Sequence, residues 1–340
     1  MTNAVIFAAI FFRKRGISFY SAILGLSSTT IIFMKRIAEV LLVVLVVLSV
    51  ATLKAIACYP KAIDVSPEKA KTYYNRGVVY DNLGESEKAI TCYQKAIEIN
   101  PEDAEAYNNM GTAYGKLGEF EKAITCFQKA IDINPEDEKA YCNMGTAYDN
   151  SGKSEKAVAC YQKAVNINPE YAIAYYNMGN FYYNSGKSKK AIVCYRKAID
   201  LNPEEAAAYY NMGNVYYNSG KSKKAIVFYQ KAIDINPEKA EAYYNMGVVY
   251  VNLGKSEKAI ACYQKAIDIN PEKAEAYNNM GVAYNDSGES EKAIACFQKA
   301  IDINPEHTEA YYNMGVVYKN LGDYNKYEEC MKKYNKLISE

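Results

Sequence analysis

The sequence predicts an all-α solenoid of antiparallel helix pairs, and two observations support this prediction. A proline recurs at a constant interval of 34 residues, and a fixed period of this size indicates stacked supersecondary units. Within each period, apolar residues follow helical spacing in two separate runs, which indicates two helices per unit. The prolines are Pro67, Pro101, Pro135, Pro169, Pro203, Pro237, Pro271 and Pro305.

The first helix of each unit is encoded by an apolar stripe, which residues 240–273 show clearly. If positions in the unit are numbered from 1 to 34, those at 4, 7, 8 and 11 share one helix face and are expected to be buried. Gly254 at position 15 ends the helix, because glycine readily adopts the left-handed conformation found there. The expected buried residues are Tyr243, Met246, Gly247 and Tyr250.

The second helix carries a stripe of its own at positions 20, 24, 27 and 28. We expect the glycine at position 8 and the alanine at position 20 to let the two helices approach closely, while the aromatic residues fill the space between units. Asn-Pro-Glu then ends the helix, since proline cannot continue it. One helix pair cannot bury both of its faces, so stability requires stacked neighbours. The stripe is Ala259, Tyr263, Ala266 and Ile267.

This pattern resembles the tetratricopeptide repeat: an aromatic residue, Met-Gly, a tyrosine, then Ala-x3-Tyr or Phe, then proline. Tyrosine stands at position 4, where the family usually has tryptophan. The resemblance implies a right-handed α-solenoid, a superhelix whose concave groove is lined by the first helices and binds proteins. The eight predicted repeats are 70–103, 104–137, 138–171, 172–205, 206–239, 240–273, 274–307 and 308–340.

A degenerate half-repeat, 54–69, precedes these units and is interrupted by Pro60. Before it lies an N-terminal hydrophobic segment, 1–53, for which three interpretations are open. A membrane anchor is favoured by apolar runs near the ~17-residue lower limit for a span and by flanking basic residues. If translation starts at Met34, the segment resembles a secretory signal; the third interpretation is a capping helix. The expected localisation is therefore the membrane, with a secreted or periplasmic protein as the alternative.

The composition argues against most chemical functions. The formal net charge is +1, which gives no overall basic signal for nucleic acid. With His307 as the only histidine, and no glycine-rich phosphate loop, we expect no catalytic site, metal, cofactor or small-molecule substrate. Eight of the nine cysteines fall at one register of the repeat. We expect them to be unpaired, because stacked repeats lie roughly 8–10 Å apart, too far for a disulfide.

An asparagine at position 6 of every unit is the candidate functional feature. Position 6 lies opposite the apolar stripe, and an asparagine amide complements a peptide bond. A ladder of them, one rung per repeat, matches about three residues of extended chain and resembles a ladder in members of the same family. The alternative is that these asparagines bond only to their neighbours. The candidate peptide-binding residues are Asn75, Asn109, Asn143, Asn177, Asn211, Asn245, Asn279 and Asn313, with Asn180 and Asn214 at position 9.

The sequence therefore predicts a non-enzymatic scaffold, membrane-tethered, that binds an extended peptide or protein segment in its groove. Position 5 lacks the lysine that the family's carboxylate clamp needs, so we expect no chaperone C-terminus as partner. The alternative is a self-assembling solenoid that forms a multi-protein complex or homo-oligomer. Arg76, which occupies a core position held by Met in the other units, suggests an incompletely packed end and motivates that alternative.

Overall fold

The computed structural model describes residues 66–339. This part of the chain contains sixteen α-helices and no strand, which confirms the all-α prediction. The helices fall in pairs, and the two helices of each pair pack against each other. The chain divides into two compact units, Met1–Ile133 and Asn134–Glu340.

The described part of the first unit consists of two helix pairs. Pro67 occupies the first turn of α1, where its missing N–H needs no partner, so the first helix begins three residues before the expected start of the repeat. The helices are α1 (Pro67–Asn82), α2 (Ser86–Ile99), α3 (Ala104–Lys116) and α4 (Phe120–Ile133).

The second unit holds the other six helix pairs, and within it each second helix also packs against the first helix of the following pair. The first helices are α5 (Glu138–Asn150), α7 (Ala172–Asn184), α9 (Ala206–Asn218), α11 (Ala240–Asn252), α13 (Ala274–Asp286) and α15 (Thr308–Asn320). The second helices are α6 (Ser154–Ile167), α8 (Ser188–Leu201), α10 (Ser222–Ile235), α12 (Ser256–Ile269), α14 (Ser290–Ile303) and α16 (Tyr324–Ser339).

Two glycines per repeat shape the helix pair as predicted. A Cβ on Gly213, at position 8, would lie 2.5 Å from Cε1 of Tyr229 in the second helix, so no side chain larger than glycine fits without displacing that ring. Gly254, at position 15, has a φ of +66°, a conformation that only glycine adopts readily. The glycine at position 8 therefore lets the two helices of a pair pack closely, and the glycine at position 15 allows the sharp turn between them.

The core differs in one respect from the predicted stripe. The most deeply buried residues of α11 are Ala242, Met246 and Val249, at positions 3, 7 and 10, whereas Tyr243 and Tyr250 at positions 4 and 11 are half-buried. The burial expected for the two tyrosines was therefore too deep. The smaller side chains take the tightest space, and a half-buried tyrosine keeps its hydroxyl near water.

Each position-11 tyrosine supports a lysine ammonium from the second helix of its own repeat. The Nζ of the lysine at position 19 lies between 5.0 and 5.8 Å from the ring centroid, within the range of a cation–π interaction. The pairs are Tyr80–Lys88, Tyr114–Lys122, Tyr148–Lys156, Tyr182–Lys190, Tyr216–Lys224, Tyr250–Lys258, Tyr284–Lys292 and Tyr318–Lys326.

The predicted membrane localisation is wrong for the part of the chain that the structure describes. None of the helices between residues 66 and 339 has the length and apolar character needed to cross a membrane. The longest, such as α1, has 16 residues, whereas a span requires about 20 apolar residues. The apolar segment 1–53, on which the membrane anchor and the secreted alternative rested, lies outside the described residues, as does most of the half-repeat.

Candidate functional site

The position-6 asparagines of repeats 4 to 8 lie half-buried on their first helices, and each hydrogen-bonds to the preceding repeat. In each of these five rungs the side-chain Nδ2 donates to the residue at position 5 of the preceding first helix, so the ladder joins neighbouring repeats. The bonds run from Asn177 to Cys142 Sγ (3.7 Å), Asn211 to Tyr176 Oη (3.1 Å), Asn245 to Tyr210 Oη (2.9 Å), Asn279 to Tyr244 Oη (2.9 Å) and Asn313 to Asn278 Oδ1 (3.0 Å).

The remaining position-6 asparagines lie at the same place on their helices. In the first unit, Asn109 Nδ2 donates to Tyr74 Oη at 2.9 Å, and Asn75 is half-buried on α1. Asn143 is half-buried on α5 of the second unit. The structural role of position 5 was missed at the level of sequence, although every position-5 residue (Tyr, Asn or Cys) is able to accept a hydrogen bond.

Asn180 and Asn214, at position 9 of repeats 4 and 5, connect the ladder to the second helices. Asn180 Oδ1 accepts from Tyr195 Oη at 2.8 Å and from Asn211 Nδ2 at 2.9 Å. Asn214 Oδ1 accepts in the same way from Tyr229 Oη at 2.8 Å and from Asn245 Nδ2 at 3.0 Å. Each position-9 carbonyl is thereby shared between the second helix of its own repeat and the first helix of the next.

This network leaves donors and acceptors in an ordered arrangement. Asn211 and Asn245 each donate twice, to the tyrosine and the asparagine of the preceding repeat, so the carbonyl oxygen is their remaining hydrogen-bonding atom. Asn180 and Asn214 use the carbonyl oxygen and keep the amide hydrogens. The first-helix face therefore presents acceptors at position 6 of repeats 5 and 6 and donors at position 9 of repeats 4 and 5.

A pocket of roughly 220 Å³ opens on this face. Tyr183 and Tyr217, at position 12 of repeats 4 and 5, border it, and their hydroxyls accept from Asn218 Nδ2 at 2.8 Å and Asn252 Nδ2 at 2.7 Å. These tyrosines were missed at the level of sequence; the signal was available, because position 12 is aromatic only in repeats 4 and 5. The lining residues are Tyr183, Asn214, Tyr217, Asn218, Asn245 and Val248.

The chemistry of the pocket is recognition by hydrogen bonding and aromatic contact, because its lining holds amides, phenols and one aliphatic side chain. Within residues 66–339, no group of three or more His, Cys, Asp or Glu side chains could hold a metal ion. The cysteines in this range are buried and free, as predicted. Burial raises the pKa of Cys160 and of Cys194 to about 11, so these thiols stay protonated and unreactive near neutral pH.

Family models of the tetratricopeptide repeat match the chain from residue 54 to residue 328. One model described as tetratricopeptide repeat covers 104–137, 240–273 and 274–307. A second model with the same description covers 126–159 and 296–328. A model described as TPR repeat covers 54–84, 82–118, 150–186, 179–220 and 213–254. The chain belongs to the tetratricopeptide repeat family. This family and fold indicate a protein–protein interaction scaffold, and none of the matching models is of a catalytic family.

Many solved structures are similar to this chain, whereas the comparison with curated proteins gave no match. YrrB, described as "a TPR protein with an unusual peptide-binding site", is 32% identical, covers 54% of this chain and 95% of its own, and has a TM-score of 0.48. The pilF protein of Pseudomonas aeruginosa is 19% identical over 61% of this chain and 94% of its own, with a TM-score of 0.55. A chain of the APC/C hetero-tetramer Cut9-Hcn1 is 18% identical over 78% of this chain and 51% of its own, with a TM-score of 0.57. The last two support the fold.

Proposed function

We propose that this protein is a non-enzymatic scaffold that binds an extended peptide segment of a partner protein on the first-helix face of repeats 4 to 6. The observation that carries the proposal is the order of hydrogen-bonding groups on that face. Asn211 and Asn245 offer carbonyl oxygens, while Asn180 and Asn214 offer amide hydrogens. A peptide backbone carries one N–H donor and one C=O acceptor per residue, so both kinds of group find partners here.

The spacing of these groups suits an extended chain. Positions 6 and 9 are three residues apart on one helix and therefore share a face. Successive repeats lie roughly 8–10 Å apart, which corresponds to about three residues of extended peptide. A peptide lying across the first helices would thus meet an asparagine pair in repeats 4 and 5 and Asn245 in repeat 6, and it would be held mainly through its backbone.

The pocket beside these asparagines supplies a place for one side chain of the peptide. Tyr183 and Tyr217 are fixed by hydrogen bonds from the following repeat, so their rings are held in place before a ligand arrives. Rigid tyrosines provide large contact area at low entropic cost. We expect the pocket to favour an apolar or aromatic side chain, with Val248 completing its apolar wall.

The other asparagines of the ladder, Asn75, Asn109, Asn143, Asn279 and Asn313, extend the same row but stand beside valine or threonine at position 9. They lack the donor that Asn180 and Asn214 add. We therefore assign peptide binding first to Asn177, Asn180, Asn211, Asn214 and Asn245, and assign the outer members a weaker contribution to a longer peptide.

The experiment selects short random peptides on the full-length protein and measures their affinity by fluorescence polarisation. The triple variant Asn177→Ala, Asn211→Ala, Asn245→Ala removes three rungs, and we expect about a tenfold or larger loss of affinity, in keeping with the cost of leaving bound polar groups unpaired.

The matched control is Asn279→Ala with Asn313→Ala. These asparagines each make the bond to position 5 of the preceding repeat, so their loss reproduces that part of the structural effect without removing a central rung. Circular dichroism should show unchanged helicity in both variants. Equal affinity for wild-type protein and triple variant would refute the proposal, as would an equal loss in the control.

A further inference from the structure

The outer faces of α8 and α10 carry a second surface that the first-helix site does not use. It consists of Lys189, Lys190 and Val193 on α8, and Lys223, Lys224 and Val227 on α10, and we call it the basic outer face. Lys189 and Val193, like Lys223 and Val227, are four residues apart and share a face. This face points away from the buried alanine and tyrosine residues of the same helices.

The charge of this surface reverses the pattern of the other repeats. Position 18, where Lys189 and Lys223 stand, is glutamate in repeats 1, 2, 3, 6 and 7. As a result, α8 and α10 have no acidic residue in the first turn, although a negative charge is the favourable one at that end of a helix. Two adjacent repeats thus carry the locally unfavourable charge, which points to a use outside the fold.

The lysines of the basic outer face have no acidic partner among the described residues. In repeats 1 and 7 the lysine at position 19 pairs with glutamate at position 16, as Lys88 does with Glu85 at 2.6 Å and Lys292 with Glu289 at 2.5 Å. In repeats 4 and 5 position 16 is also lysine. Lys190 and Lys224 lie over the rings of Tyr182 and Tyr216, at 5.3 and 5.5 Å, like the equivalent lysines of the other repeats, and this contact restrains their ammonium groups without neutralising them.

An apolar residue stands beside each lysine pair. Val193 is 67% exposed and Val227 is 53% exposed. The corresponding residue is threonine in repeats 1 and 2 and alanine in repeats 3, 6 and 7. Lysine at position 18 and exposed valine at position 22 therefore occur together, in the same two repeats, whereas repeats 1, 2, 3, 6 and 7 have glutamate with threonine or alanine and carry a mixed Glu-Lys surface.

We infer that the basic outer face binds an acidic protein segment whose carboxylates are interspersed with apolar side chains. The lysines complement the carboxylates, and the valines bury against the apolar residues. A nucleic acid would use open aromatic rings for stacking, but the nearby rings of Tyr182 and Tyr216 are already covered by Lys190 and Lys224. A membrane surface calls for a larger apolar face with residues such as Trp, Phe or Leu.

The test uses the full chain and a fluorescein-labelled peptide of repeated Glu-Glu-Leu, with a Lys-Lys-Leu peptide as negative probe. Lys189→Glu with Lys223→Glu installs the residue that most other repeats carry at this position, so folding is preserved. We expect the affinity for Glu-Glu-Leu to fall about tenfold at low salt and the wild-type affinity to fall as salt is raised. Val193→Thr with Val227→Thr, the residue of repeats 1 and 2, should lower it about threefold, since a small apolar contact is lost.

The control is Lys129→Glu with Lys299→Glu, which changes the net charge equally at exposed positions of repeats 2 and 7. It should leave affinity nearly unchanged. The inference is overturned if wild-type protein does not bind Glu-Glu-Leu, or if the control weakens binding as much as the reversal at Lys189 and Lys223. It is also overturned if duplex DNA or phosphatidylserine vesicles, rather than the peptide, bind in a way that depends on those two lysines.

Discussion

Repeats 5 and 6 have the same internal packing but present different surfaces on their first helices. Tyr229 and Tyr263, the equivalent tyrosines of the two second helices, are both almost completely buried. On the first-helix face, however, repeat 5 has Asn214, which accepts a hydrogen bond from Tyr229, whereas repeat 6 has Val248 at the same position. The internal packing of the repeat is therefore the same with valine as with asparagine at position 9.

This comparison separates what the fold needs from what the surface adds. Glycine at position 8 and alanine at positions 3 and 20 occur in both repeats and are buried in both. Asn214 and Tyr217 occur in repeat 5 and are replaced by Val248 and Val251 in repeat 6. Since the fold forms with either pair, we propose that the polar pair serves binding, and the predictions below test that separation.

The largest expected effect concerns the shared packing. Gly213→Ala and Gly247→Ala should each destabilise the protein by about 1–3 kcal/mol, because the new Cβ overpacks against Tyr229 or Tyr263. For Gly315→Ala in the last repeat the nearest neighbour of the new Cβ would be Cys330 Cβ at 3.2 Å, with Met331 Sδ at 3.5 Å and Tyr327 Cδ2 at 3.7 Å, so this change should cost much less. Urea denaturation midpoints measure the difference, and similar losses at all three sites would contradict the packing argument.

The second prediction exchanges the surfaces of the two repeats. Asn180→Val with Asn214→Val gives repeats 4 and 5 the position-9 residue of repeat 6, and peptide affinity should fall about tenfold as the donors are lost. Stability should fall by about 1–2 kcal/mol per site, since each site loses two hydrogen bonds, one from Tyr195 or Tyr229 and one from the position-6 asparagine of the next repeat.

The reverse exchange, Val248→Asn, adds a donor at position 9 of repeat 6 but removes the apolar wall of the pocket. For a peptide that places glycine at the pocket, and so makes no use of that wall, affinity should rise about threefold, the worth of one added hydrogen bond. Fluorescence polarisation measures both exchanges. If Val248→Asn has no effect while the double valine variant destroys folding, position 9 serves the fold and the comparison fails.

The third prediction concerns alkaline pH. Burial raises the pKa of Cys160, Cys194 and Cys262 to about 11 from an ordinary value of 9.0. The folded state therefore holds these protons more tightly than the unfolded state, so their contribution to stability is complete below pH 9.0 and is lost as pH rises towards about 11. Repeat 5, with Phe228 in this slot, has no such dependence.

Thermal unfolding from pH 8 to pH 11 in the presence of reductant measures this loss. The variant Cys160→Ala, Cys194→Ala, Cys262→Ala should be less stable at neutral pH, owing to lost burial, and should show a shallower decline of midpoint with pH. An unchanged slope would mean that the thiols are more accessible than their burial indicates.

The smallest expected effect is on the pocket rim. Tyr183→Phe removes the hydroxyl that accepts from Asn218, an exposed bond, so stability should change by no more than about 0.5 kcal/mol. Peptide affinity should fall about twofold as the ring becomes less well fixed. The same change at Tyr244, which accepts from Asn279 outside the pocket, should leave affinity unchanged.

The period of 34 residues was enough to predict the helix pairs, because the same apolar pattern, and therefore the same packing, recurs in every unit. The period was less informative about which residues of each helix are buried most deeply. Positions 3 and 10 hold alanine or valine, which carry a weaker apolar signal than the tyrosines at positions 4 and 11, yet Ala242 and Val249 are the fully buried residues. Close packing of neighbouring helices selects small side chains for the deepest places, and an apolar pattern alone does not reveal this.

The candidate site was predicted only in outline. The row of asparagines at position 6 could be read from the sequence, but the use of their N–H groups could not, because the acceptors are about one repeat away in the chain, as Tyr176 is from Asn211. The alternative that the asparagines bond to their neighbours is confirmed for their amide hydrogens. The prediction that they bind a peptide stays a prediction, in which the carbonyl oxygens of Asn211 and Asn245 would take part. Tyr183 and Tyr217 could be recognised as part of the candidate site only from the structure, which places them beside the asparagine row.

The central claim is that the asparagine face of repeats 4 to 6 holds a peptide through its backbone. The most direct measurement compares the affinity of a selected peptide with that of analogues N-methylated at single backbone nitrogens. The account predicts that methylation at nitrogens about three residues apart lowers affinity about tenfold, because the N–H groups accepted by Asn211 and Asn245 are removed. Substituting alanine for peptide residues other than the one that fills the pocket should lower affinity far less. Full affinity after N-methylation, with loss confined to side-chain changes, would contradict it.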